Sequence, residues 1–454
     1  MAERIQNMTT GSPVKLIFSF ALPLMLGNVF QQLYTMVDTM VVGNVLGLEA
    51  LAALGSGDAL HWMVLSVVQG MTQGLCIQLA QDFGSGDMKK LRRTYTTALW
   101  LAVISAVVIT AVALGALVPV LRVMGTPEEI LPTAVSYLAV VFAAVPVLLA
   151  YNFLASVLRA LGDGKTPLRA MVAASITNIV LDLLFVMVFR WGVIGAAVAT
   201  VIGQALSVLI CLRAVRGISV LRLEKGELRL HTDLVGRLLK LATPFAFQNL
   251  IIALGSLVIQ YVINGFGVLY IAGFTATNKL YGLLEIAAYS YGFAMTTYTG
   301  QNLGAGKLER IHKGTHAGAL MGVLTAGVIS VCMFVFGRLI VGSFISGDPA
   351  DAAATVEIAY HYLCVMAAFL PVLYILYVYR SSLQGLGDTV MPMISGFAEL
   401  AARLATILFL PLLIGEEGLF WGESNAWIAA DLVLVTSYYL RMHRLKKGEI
   451  YGKQ

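Results

Sequence analysis

Apolar residues fill long blocks along almost the whole chain, and polar residues are confined to the breaks between them. Most blocks reach about 18 residues or more, and at a rise of about 1.5 Å per residue such a block crosses a hydrocarbon core of roughly 30 Å as a helix. The pattern predicts twelve spans, near 15–44, 51–82, 94–120, 133–158, 168–190, 193–213, 237–265, 270–300, 315–341, 354–380, 391–414 and 421–441. An even number of spans returns the chain to the side on which it began.

The pattern also repeats. ALPLMLGN (21–28) returns as ATPFAFQN (242–249), QDFGSGDMKKLRR (81–93) as QNLGAGKLERIHK (301–313), and LRALGDGKTP (158–167) as LQGLGDTVMP (383–392). Two six-span halves therefore enter the membrane with the same orientation, an arrangement related by an axis along the membrane normal. The predicted fold is an all-α polytopic membrane protein with two pseudo-symmetric six-helix lobes around a central cleft. Residues 1–213 form the N-lobe, 214–236 a linker, and 237–454 the C-lobe with a short tail.

Composition sharpens this picture. The chain is 59% hydrophobic and 12% charged, about half the roughly 25% charge of a soluble domain. Lys89, Lys90, Arg92, Arg93, Arg159, Lys165, Arg213, Arg216, Lys307, Arg310, Lys313, Arg441 and Arg444 fall in the even-numbered connections and the tails. The odd-numbered connections are acidic, with Glu49, Glu128, Glu129, Asp351, Glu416, Glu417 and Glu423. By the positive-inside rule both termini are expected in the cytoplasm, with the protein multi-pass in the cell membrane. The net charge of +5 is then a matter of topology, and no nucleic-acid partner is expected. The four cysteines lie singly in apolar runs and read as small buried hydrophobes. No cleavable signal is expected at the N-terminus.

Against this background a carboxylate inside a span needs a reason, because insertion of an ionised acid at the bilayer centre costs on the order of 2.5–3.5 kcal/mol. Asp182 lies in NIVLDLLFVMVF (178–189), with Asn178 four residues earlier on the same helix face. Gln31, Tyr34 and Asp38 give the first span a polar stripe, as Thr200 and Gln204 do for the sixth. Such groups should face one another or a wet cavity. Two acids in one poorly hydrated pocket cannot both ionise cheaply and titrate as a coupled pair, so the pocket can carry a proton or hold Na⁺. A purely structural hydrogen bond between helices is the competing account of Asn178 and Asp182.

QQLYTMVDTMVVGNVLGLEALAALG (31–55), LRALGDGKTP (158–167) and NIVLDLLFV…GVIGAAVATVIGQ (178–204) together resemble multidrug and toxic compound extrusion (MATE) transporters, in particular the DinF-like branch. The resemblance covers essentially the whole chain. It implies a secondary active antiporter that exports organic, often cationic and amphipathic compounds in exchange for H⁺ or Na⁺ by alternating access, functions as a monomer, and needs no other cofactor. It also implies a cation site at Asp38, Asn178, Asp182, Thr200, Tyr137 and Asn152, with Na⁺ held by the first four if sodium is the coupling ion. Pro23 matches a proline at which the first helix can bend.

The second half carries different chemistry. Arg403 occupies the repeat position of Asn178 and stands four residues after Glu399, which predicts a structural ion pair. Glu285 is expected to line the substrate cavity together with Gln31, Tyr34 and Met36. Two rival functions compete with this reading. GLGD (385–388) fits a GxGD intramembrane aspartyl protease, but its recurrence as ALGDG marks Gly162, Asp163, Gly387 and Asp388 as turn and cap residues. A lipid-linked glycan flippase of the same superfamily would be expected to carry a more basic cavity than Lys279 and Arg403 supply. No phosphate-binding G-x-x-x-x-G-K-[ST] loop is present, so the driving energy is expected from an ion gradient.

Overall fold

The computed structural model describes the backbone of residues 5–46, 48–224, 226–345 and 349–448. The first half comprises α1 (Pro13–Leu46), α2 (Leu48–Ser85), α3 (Met88–Val123), α4 (Leu131–Ala143), α5 (Val145–Ala160), α6 (Lys165–Asp182) and α7 (Gly192–Arg216). The second comprises α8 (Thr232–Ile263), α9 (Val268–Gly304), α10 (Leu308–Gly342), α11 (Pro349–Gly385), α12 (Val390–Phe409), the short α13 (Pro411–Ile414) and α14 (Gly422–Lys446). There is no strand among the described residues. Nine described stretches are long and apolar enough to cross a membrane, ten when the bent pair α4–α5 counts as one span, with α12 and α14 entering as a single stretch. Taken singly, and with α4–α5 as one, the helices make the twelve predicted crossings.

Departures from straight helices have local causes. The fourth span bends by 45° at Ala144, where Pro146 in the first turn of α5 has no N–H to give the preceding turn. The two GLGD copies are turns and caps. Gly162 takes φ +86° and Gly387 φ +78°, which an L side chain resists. Asp163 Oδ1 accepts from the N–H groups of Lys165 (3.0 Å) and Thr166 (2.9 Å), and Asp388 Oδ1 accepts from Met391 N–H at 3.2 Å. Their acids are thus engaged as helix caps.

Two compact units result. One comprises Met1–Asn7 and Leu22–Ala246, the other Met8–Ala21 and Phe247–Gln454. Each repeat therefore lends the opening segment of its first helix to the other unit, and the crossing points fall beside Pro23 and Pro244, both inside continuous helices. In the first unit the opening half of α8 crosses α2 backbone to backbone: a Cβ on Gly74 would lie 2.4 Å from Ala242 Cα, and one on Gly70 2.5 Å from Ala246 Cα. Arg92 and Arg93 hold the segment before α8 through Glu227 (3.1 Å) and Asp233 (2.9 Å). In the second unit the equivalent connection holds the segment before α1. There Gln301 Oε1 accepts from Met8 N–H at 2.8 Å, Lys307 Nζ donates to Thr9 O at 2.9 Å, and Arg310 Nη1 donates to Gly11 O at 3.0 Å.

Candidate functional site

In the first unit α6 and α7 pack closely enough to bring their polar residues together. Gly203 permits this approach, since a Cβ there would stand 3.1 Å from Ala174 O and 3.4 Å from Asn178 Cβ, and Ser207 Oγ ties the pair by donating to Ala170 O at 3.0 Å. Asn178 and Asp182 are both buried, at 3% and 1% exposure. One amide orientation satisfies Asn178 at both ends. In it Nδ2 donates to Asp182 Oδ2 at 3.0 Å, while Oδ1 accepts from Thr200 N (3.1 Å) and Thr200 Oγ1 (3.3 Å). The opposite orientation turns the amide oxygen toward the carboxylate, acceptor against acceptor. Thr200 Oγ1 can also donate to Ala196 O, at 3.1 Å.

The helix changes character at this carboxylate. Leu183–Val188 continues α6 as a π turn, with Phe189 N–H bonded to Leu184 O at 2.9 Å. Single π turns often mark functional positions because they shift the helix register by one residue. Here the turn delivers Phe185 and Phe189 to a stack with Trp191, centroids 4.8–5.9 Å apart. The segment closes through Arg190 at φ 56°.

The remaining expected members of the site are placed unevenly. Asn152 is buried and its Nδ2 donates to Leu148 O of its own helix at 2.9 Å. Tyr137 packs beside Leu54, Val186 and Ala196, next to the α6–α7 pair. Gln31 is exposed, with its carbonyl accepting from Thr35 Oγ1 at 3.0 Å. The side chains of Tyr34, Met36 and Asp38 lie outside the described residues.

The second unit is built on charge. Glu399 and Arg403 pair at 3.2 Å as the spacing predicts, but they are the centre of a longer chain. Arg380 Nη2 donates to Glu399 Oε2 at 2.7 Å, and Arg403 Nη2 also reaches Glu423 Oε2 at 2.7 Å. All four side chains are at most 13% exposed. Glu285 on α9 accepts a hydrogen bond from Tyr377 OH on α11, and the Arg380 guanidinium lies 5.9 Å from the Tyr377 ring centroid. Lys279 is exposed, so the buried cations here are Arg380 and Arg403. Arg380, Glu423 and Tyr377 were missed in the sequence because their partners lie on other helices, where periodicity carries no information.

The MatE family matches residues 23–184 and 244–407, the corresponding parts of both repeats. The chain belongs to that family. This MatE chain is 32% identical to the probable multidrug resistance protein YpnP of Bacillus subtilis, over 99% of both chains. It is 28% identical to DNA damage-inducible protein F of Escherichia coli over 64% of each. Its fold is that of a crystallised MATE in the bent conformation, at a TM-score of 0.89 and 21% identity over 99% of both chains. As a MatE protein it is a multi-pass membrane transporter and not an enzyme.

Proposed function

We propose that the protein is a secondary active multidrug exporter that moves organic cations out of the cell in exchange for H⁺ or Na⁺ by alternating access. The observation that carries this reading is Asp182, buried on a membrane-crossing helix and hydrogen-bonded to an amide that is itself held by Thr200 on the neighbouring helix. With Asp38 as the second acid the family resemblance implies, loading by a cation neutralises the pocket and removes the need for water around the acids. The first helix can then repack, bending at Pro23, where a proline leaves the turn before it without one hydrogen bond. Glu285 supplies negative charge for a cationic cargo. The surplus of acids over arginines around it favours cationic cargo over the anionic lipid of a flippase. The name of the Bacillus subtilis relative supports drug efflux. The basic connections support cytoplasmic termini in the cell membrane, and function as a monomer is part of the same proposal.

Purified protein in liposomes, given a fluorescent cation and either a pH or a sodium gradient, tests this. One gradient should drive transport and the other should not. Transport that ignores both, or that persists unchanged in Asp182→Asn, overturns the reading.

A further inference from the structure

The interior of the second unit holds more negative charge than its ion pairs absorb. Four carboxylates, Glu285, Glu399, Glu423 and Asp431, face two guanidinium groups, Arg380 and Arg403, leaving a surplus of two. Of the other charged residues of the same helices, Lys279, Asp351, Glu357, Arg444 and Lys446 are exposed, and Arg441, half-buried, stands ten residues beyond Asp431 toward the far end of α14. Both arginines are already committed: Arg380 to Glu399, and Arg403 to Glu399 and Glu423. Glu285 has the Tyr377 hydroxyl. Asp431 is in a different position. It lies nine residues into α14, and its Oδ1 is enclosed with no hydrogen-bond donor among the described residues.

The groups that act on Asp431 from the helices packed around it are few. Arg380 on α11 and Glu399 on α12 oppose each other in sign, and the Tyr379 hydroxyl of α11 lies alongside. Because Arg380 donates to Glu399 at 2.7 Å, its attraction for Asp431 is largely offset by the Glu399 charge next to it. A carboxylate so placed in a membrane interior needs a cation of its own. A metal ion is a poor candidate: no group of three or more acidic, histidine or cysteine side chains stands close enough to hold one among the described residues. A proton needs only the carboxyl oxygen itself.

We propose that Asp431 is a second proton-binding site of this protein, in the other unit from Asp182 and loaded independently of it. Of the two surplus charges, Glu285 is left for cationic cargo and Asp431 holds a proton. The chain Glu423–Arg403–Glu399–Arg380 separates the two roles, because it fixes Arg380 between them. This assignment concerns proton binding alone and stands or falls apart from the role of Asp182 in transport.

Infrared spectroscopy of the full-length protein in lipid nanodiscs, titrated through neutral pH, reads it directly through the C=O stretch of protonated carboxyl groups. Asp431→Asn should remove a band equal to one carboxyl, whereas Asp182→Asn should leave that band in place. An unchanged spectrum in folded Asp431→Asn, or loss of the same band in Asp182→Asn, overturns the proposal. Should Asp431→Asn not fold, Asp431→Glu keeps the acid and must shift the band's frequency. A band that does not move with glutamate at this position has the same overturning force.

Discussion

The two units come from one repeated sequence and fill their interiors in opposite ways. In the first unit Asp182, inside its span, is enclosed in a neutral setting of amide and hydroxyl groups. Other buried acids of the unit, Asp82 and Asp163, serve an ion pair with Lys90 and a helix cap. The second encloses a chain of four charges across three helices, with Glu285 and Asp431 at its flanks. An acid among neutral partners changes the local net charge when it takes up a cation, which on the proposed reading is what makes its packing responsive. An acid locked between two arginines has its charge balanced already, and its geometry persists. Duplication thus supplied, on that reading, a scaffold on which the Asp182 pocket responds to its ion while the arginine-locked chain Glu423–Arg403–Glu399–Arg380 stays fixed.

The sharpest way to break this comparison is to remove the charge from each side. Asp182→Asn is isosteric and should abolish efflux of a cationic drug while leaving expression and membrane insertion intact, as read by a resistance assay alongside a blot. Asp38→Asn should behave in the same way. Retention of full efflux in both would place the coupling in the second unit and reverse the contrast.

Next in size is the effect of opening the buried ion-pair chain. Arg403→Met leaves Glu399 half paired and Glu423 unpaired, and breaking a buried pair in this way costs about 3–5 kcal/mol. Removing Glu399 and Arg403 together should recover little, because Arg380 and Glu423 are then stranded. Only replacement of all four by apolar residues of similar volume should return most of the stability. Thermal unfolding in detergent, followed by tryptophan fluorescence, distinguishes the three variants. A double variant as stable as the wild type would show that Arg380 and Glu423 are not held as the structure has them.

How much of this was legible beforehand follows from where each signal resides. The spans, the repeat and the GLGD turns are written along the chain itself. Asn178 and Asp182 were visible because four-residue spacing places them on one face, and Thr200 joined them through the family resemblance. Arg380 and Glu423 both fall at the edges of predicted spans, so neither reads as buried. Asp431 carries the same mark as Asp182, an acid inside an apolar run, IAADLVLV (428–435), by which it can be found. The exchange of opening segments and the π turn after Asp182 left no such mark. The prolines were visible, but which unit each opening segment packs into depends on contacts between distant segments.

A smaller effect sharpens the electrostatic side of the contrast. Glu285→Gln should weaken binding of a cationic dye by about tenfold, equivalent to about 1.4 kcal/mol, with little change for a neutral dye of similar size. Tyr377→Phe, which removes the hydroxyl that donates to Glu285, should act in the same direction and less. Fluorescence titration with the two dyes measures both, and equal losses for both dyes would remove Glu285 from cargo recognition.

The smallest expected effect lies outside the membrane, where the first unit does use charge, to hold the segment before α8. Glu227 accepts from the backbone N–H of Glu224 at 2.8 Å and from Arg92 Nε at 3.1 Å. That backbone N–H, and after it the Arg92 guanidinium, holds its carboxyl below the usual carboxylate range. A depressed folded value means that the stabilisation is fully present above the unfolded carboxylate value, about 4.3, and is lost as pH falls through the folded one. Glu227→Gln should therefore speed hydrogen exchange in 222–233 a few-fold at neutral pH, where the pair is intact. The difference from wild type should vanish once acid has protonated the carboxyl, and it should shrink in high salt, because exposed pairs are screened. A difference that persists in acid would mean that the segment is held by its backbone contacts, such as His231 N–H to Thr97 Oγ1 at 3.3 Å, and that this grip resembles the backbone-directed one in the second unit more than its ion pairs suggest.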